Sequence, residues 1–125
     1  MAHNKPILIV EDEPDIITVL KRMLERNGFH IDAFTDSIQA LANFKPSAYD
    51  LVILDFKMKG MDGFETYQEI IKIDTDIKVL FLSGDNDNYA EQIRSLPLLN
   101  PKQFLHKPIG MKQFIVRVNE ILDII

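Results

Sequence analysis

The sequence contains no cysteine and no tryptophan. The first absence excludes disulfides, thiolate metal sites and a cysteine nucleophile. Basic residues are the minority, 14 Lys and Arg against 19 Asp and Glu for a net charge of -5, and no basic stripe is present to follow a phosphate backbone. Direct nucleic-acid binding is therefore not expected. Long hydrophobic runs are also missing: the opening "MAHNKPILIV" holds a five-residue run, short of a signal-peptide core, and nothing approaches the roughly 18 apolar residues of a membrane span. The expectation is a cytoplasmic protein without a membrane partner. At 125 residues it reads as one domain over 1–125, with a real core and no room for an effector domain.

Short apolar runs recur: "PILIV" (6–10), "FHIDAF" (29–34), "LVIL" (51–54), "IKVLFL" (77–82) and "QFLHK" (103–107). Each precedes a segment of helical period. Pro14 suits a first helical turn, Ile16, Leu20, Met23 and Leu24 share one face, and Gly28 supplies a stop. The second helix is predicted to open with a capping box at Asp36-Ser37-Ile38-Gln39 and to end before Pro46. Gly63 opens the third, with Phe64, Tyr67, Ile70 and Ile71 on one side. The fourth unit is irregular, with a polar loop "SGDNDN", a short helix near 88–95, and then "LPLLNP". The last helix starts near Met111 and carries Phe114, Ile115, Val118, Leu122 and Ile125 at three- and four-residue steps.

Strand-helix alternation predicts an α/β fold, a five-stranded parallel sheet with right-handed crossovers and helices on both faces. Ligands of such sheets bind beyond the carboxyl ends of the strands. At those ends stand Glu11, Asp12 and Glu13, then Asp55, then Ser83 and Gly84, then Lys107 and Pro108. Carboxylates gathered from neighbouring strands disfavour one another's ionisation, and a hard cation relieves them. Mg²⁺ suits one or two carboxylates plus phosphate oxygens. Asp55 then has the position of a nucleophile toward phosphorus, with Ser83 and Lys107 placed to receive the phosphoryl oxygens.

Four motifs in order, "ILIVEDEPDI", "DLVILDFKMKGMDGFE", "VLFLSG" and "FLHKPI", make the chain resemble the receiver domain of two-component response regulators along essentially its whole length. The resemblance implies a doubly wound, flavodoxin-like sheet of order 2-1-3-4-5. It makes Asp55 the acceptor of a phosphoryl group from a histidine kinase or histidine phosphotransfer protein, and the chain a phospho-acceptor rather than a turnover enzyme. It assigns Asp12 as a direct Mg²⁺ ligand, Glu11 as a partner of the metal, often through water, and the Lys57 backbone carbonyl as a further ligand. Ser83, the Gly84 N–H and Lys107 would hold the phosphoryl group. Ser83 and Phe104 would act as the switch, and Lys107-Pro108 would carry a cis peptide. Lys57 and Asp85, each two residues past a site residue, would tune the phosphoryl lifetime. Output would pass through the fourth-helix to fifth-helix face to a target protein or a second copy.

Several residues depart from the family pattern. Lys59 stands where the family commonly has Pro, Ser83 replaces the commoner Thr, and "LPLLNPKQ" replaces a small-residue turn before the fifth strand. Three other readings share parts of the pattern. A haloacid-dehalogenase-type phosphohydrolase also uses an Asp nucleophile and Mg²⁺, but its second acid is here Lys57. A flavodoxin-like carrier would not place "EDEPD" against a phosphate. A degenerate receiver acting only as a binding module would not need Asp12, Asp55, Ser83 and Lys107 together.

Overall fold

The computed structural model describes residues 5–84, 94–95 and 99–123. Five strands, β1 (Ile7–Val10), β2 (Ile31–Phe34), β3 (Leu51–Asp55), β4 (Lys78–Ser83) and β5 (Phe104–His106), form one sheet of order β2-β1-β3-β4-β5. Every pairing is parallel. Four helices are described: α1 (Pro14–Arg26), α2 (Ser37–Asn43), α3 (Gly63–Ile73) and α4 (Met111–Leu122). The helix expected near 88–95 lies outside the described residues except for Arg94 and Ser95, which are helical.

Apolar runs become strands here because both faces of the sheet are covered, so the polar alternation of a half-exposed strand disappears. Side chains still alternate between two cores. Leu8, Val10, Val52, Leu54, Val79, Phe81 and Phe104 pack with Ala40 of α2 and Tyr67 and Ile70 of α3. Ile7, Ile9, Leu51, Ile53, Leu80, Leu82 and Leu105 face Leu20, Met23 and Leu24 of α1 and Phe114, Val118 and Leu122 of α4. Each fully buried aliphatic side chain contributes about 1.5–3 kcal/mol. The helical stripes read from the sequence are thus core-facing, with Ile16, Phe64, Ile71 and Ile115 partly buried at their margins and Ile125 outside the described residues.

Local signals set most ends. Pro14 occupies the first turn of α1, and Gly28, at φ 88°, takes the left-handed conformation that lets the chain leave the helix. β2 begins at Ile31, two residues later than the apolar run suggests, because Phe29 N–H is still engaged by the α1 carbonyl of Leu24. The capping box expected at Asp36 is corrected. Asp36 caps α2 by accepting from the Ile38 N–H, at 2.8 Å, and no return bond from Gln39 is found among the described residues. The reciprocal box is on α3, where Asp62 accepts from the Glu65 N–H and Glu65 from the Asp62 N–H. A second box, Asn100 with Gln103, fixes a 3-10 turn over Pro101–Gln103 and delays β5 to Phe104.

Candidate phosphoryl and metal site

Asp55 is the last residue of β3, and the next strand holds it in register, opposite Leu82. The chain turns sharply behind it. Gly63, the first residue of α3, lies so close that a Cβ there would collide with the Asp55 carbonyl and the Phe56 backbone. Its N–H donates to the Phe56 carbonyl at 3.0 Å. Glycine at 63 is therefore required to seat α3 against the strand end.

On the neighbouring strand, β1, the chain runs on past Val10 into Glu11 and Asp12. Carboxylate oxygens of Glu11, Asp12 and Asp55 all lie within 4.8 Å of one another. Glu11 is fully buried and Asp55 only 4% exposed, while Asp12 is half-buried. Lys107, just past β5, reaches back across the edge. Its Nζ donates to Glu11 Oε1 at 3.3 Å and to Asp55 Oδ1 at 3.2 Å, with the side chain a quarter exposed. The Glu13 N–H donates to the second Glu11 oxygen at 3.2 Å. The Lys107-Pro108 peptide is cis.

One ammonium does not balance three carboxylates. Burial pushes the Glu11 carboxyl up from the ordinary 4.5 to about 7, and the hydrogen bond and charge of Asp55 push the same way against Lys107 and the Glu13 N–H. At Lys107 burial favours the neutral amine, but Asp55 and Glu11 outweigh it, so its pKa is raised and it stays a cation. The donor set is hard oxygen throughout and carries surplus negative charge, which fits a hard divalent cation.

Lys59 supplies something that sequence reading missed. Its backbone N–H donates to Asp12 Oδ2 at 3.3 Å, a bond that a proline at that position has no hydrogen to make. Across the sheet, Ser83 ends β4 fully buried, and its Oγ lies 3.2 Å from His106 Nδ1, a partner the sequence reading did not identify. Phe104 is buried in the core, stacked on Phe81 at 4.9 Å and edge-on to Phe56 at 6.1 Å. Arg117 of α4 donates to the Phe104 carbonyl at 2.9 Å and fixes the start of β5. Lys57 is exposed on the loop after β3, and Gly84 follows Ser83 at the same edge. Asp85 lies outside the described residues.

The model of the response regulator receiver domain matches residues 7–119. Among curated relatives, the chain is 29% identical over 119 residues to the alkaline phosphatase synthesis transcriptional regulatory protein PhoP of Bacillus subtilis, covering 95% of this chain and 49% of that protein. It is 33% identical over 122 residues to the probable transcriptional regulator ycf27 of Guillardia theta, covering 98% and 47%. The chain thus spans about half the length of such relatives. Among solved structures, the non-phosphorylated HemR receiver domain of Leptospira biflexa superposes with a TM-score of 0.82 at 29% identity, covering 94% of each chain.

Proposed function

Because the chain belongs to the receiver-domain family of two-component response regulators, we propose that Asp55 is its phospho-acceptor and that a histidine kinase or histidine phosphotransfer protein is the donor. The observation that carries this reading is the Lys107 ammonium bound to Asp55 at the end of β3, with Glu11 and Asp12 beside it. Such a site holds a carboxylate ready at the open edge of the sheet and a cation where charge would gather.

In the reaction, an Asp55 Oδ attacks phosphorus and the P–N bond to the donor imidazole breaks, leaving an acyl phosphate on Asp55. Lys107, already within 3.2 Å of Asp55, needs only a local shift to meet a phosphoryl oxygen. The Ser83 hydroxyl and Gly84 N–H, at the end of the adjoining strand, would take the other oxygens. Asp12, Asp55 and the Lys57 carbonyl would hold Mg²⁺, with Glu11 behind them. An ion held there would supply positive charge to offset that on the phosphoryl oxygens.

The residue two past Asp55 is Lys57, where the haloacid-dehalogenase-type pattern has its second acid. The chain accordingly works as a phospho-acceptor that loses its phosphate by hydrolysis, at a rate tuned by Lys57 and Asp85. No helix among the described residues is long and apolar enough to cross a membrane. The proposed place of action, the cytoplasm, follows from the proposed partnership with a histidine kinase or phosphotransfer protein. The output surface would be the face between the helix expected near 88–95 and α4, toward a target protein or a second copy.

Acetyl phosphate provides the test. The protein should gain one phosphoryl mass in Mg²⁺ and none in chelator, the adduct should be lost to hydroxylamine, and Asp55→Ala should not label. Unchanged labelling of Asp55→Ala would overturn the assignment.

A further inference from the structure

The hydroxyl that the proposed chemistry needs is already occupied. Ser83 Oγ lies 3.2 Å from His106 Nδ1, and the two residues are register partners on β4 and β5. Partners on paired strands project from the same face of a sheet, and so do residues two apart along one strand. Ser83 and His106 therefore share the face of Phe81 and Phe104, which stack two residues earlier on the same strands. His106 is exposed whereas Ser83 is fully buried, so the pair runs from the interior of the edge to the surface. Lys107, the residue after His106, is tied by its N–H to the Ser83 carbonyl at 2.8 Å.

We propose that His106 is a positioning residue that holds the Ser83 hydroxyl on β5 in the unphosphorylated protein and releases it when a phosphoryl group arrives on Asp55. This inference rests on Asp55 being the acceptor. A serine hydroxyl carries one proton and rotates about one χ angle. While it is hydrogen-bonded to an imidazole on the neighbouring strand, its geometry is set by that ring, and it must exchange that bond for one to a phosphoryl oxygen. The exchange costs the old bond at the moment the new one forms. It also delivers the change to a ring at the surface, on the face that carries Phe104. Its register opposite Ser83 makes His106 a competitor of the phosphoryl group for the Ser83 hydroxyl.

Imidazole ¹⁵N NMR of the full chain reads this bond directly. In the unphosphorylated protein the His106 Nδ1 resonance should differ from that of Ser83→Ala, and Mg²⁺ with beryllofluoride, a phosphoryl mimic, should shift the wild-type resonance toward the Ser83→Ala position. His106→Ala should take up phosphate from acetyl phosphate about 2- to 10-fold faster than wild type, the scale of one released hydrogen bond, and only while Ser83 is present. Because His106 is exposed, this variant removes no core side chain. If backbone signals around Asp55 respond to beryllofluoride while Nδ1 stays put, or His106→Ala has the same effect in the Ser83→Ala background, the coupling is wrong and the acceptor reading stands. If the Asp55 signals do not respond, the acceptor reading fails and the coupling fails with it.

Discussion

The carboxyl edge of the sheet has two unlike halves. On β1 and β3 it is charged and crowded, with Glu11, Asp12 and Asp55 gathered together and one ammonium bound to Glu11 and Asp55. On β4 and β5 it is aromatic: a serine hydroxyl meets an imidazole, and behind them Phe81, Phe104 and Phe56 pack ring against ring. The charged half is held together against its own repulsion, so an added cation or phosphoryl group changes its energy strongly. The aromatic half is held by packing and a hydrogen bond of 3.2 Å, and what it offers is a small rearrangement. Lys107, at the end of β5, touches the charged half through its side chain and the aromatic half through its backbone, and links the two.

Truncation on the aromatic side should give the largest loss of stability. Phe104→Ala removes a buried ring that contacts both Phe81 and Phe56, and should cost about 3–5 kcal/mol in urea unfolding. A loss under 1 kcal/mol would mean that the aromatic packing does not hold this half together.

Next in size is the link itself. Lys107→Ala should leave the fold in place but lower uptake of phosphate from acetyl phosphate by roughly 10- to 100-fold, the scale of a lost charge-assisted hydrogen bond. Uptake at the wild-type rate would separate Lys107 from the phosphoryl group.

Much of this comparison was legible in the sequence. The apolar runs gave the strands because a sheet covered on both faces leaves no alternation to misread, and Pro14 and Gly28 bounded α1 by their backbone limits. Asp55, Asp12, Ser83 and Lys107 were visible because each follows an apolar run. The His106 contact was hidden, since it depends on the register of two strands more than 20 residues apart. The Lys59 contribution was hidden for another reason: the donor is a backbone N–H, and the side chain gives no sign of it. Asp36-Ser37-Ile38-Gln39 and Asp62-Gly63-Phe64-Glu65 carry the same box spacing, and spacing alone does not tell which side chain at the fourth position turns back.

A smaller effect should separate the halves by pH. Glu11 titrates at about 7 in the folded protein against an ordinary 4.5, so between those values the folded state binds the extra proton. The cost of the cluster is absent below about 4.5, grows through the window, and persists above about 7. Without Mg²⁺ the protein should melt at higher temperature at pH 5 than at pH 8, and Glu11→Gln should reduce that difference. An equal difference in Glu11→Gln would place its origin elsewhere.

The central claim, that three carboxylates form one metal pocket under electrostatic strain, is tested most directly by thermal melts at neutral pH of wild type, Asp12→Asn and Asp55→Asn, each in Mg²⁺ and in chelator. In chelator both variants should be the more stable, by on the order of 1 kcal/mol, because each removes one of the crowded charges. Mg²⁺ should raise the wild-type melting temperature by mass action and do much less for Asp12→Asn. Variants that both melt below wild type in chelator, with Mg²⁺ shifting all three proteins equally, would contradict the account.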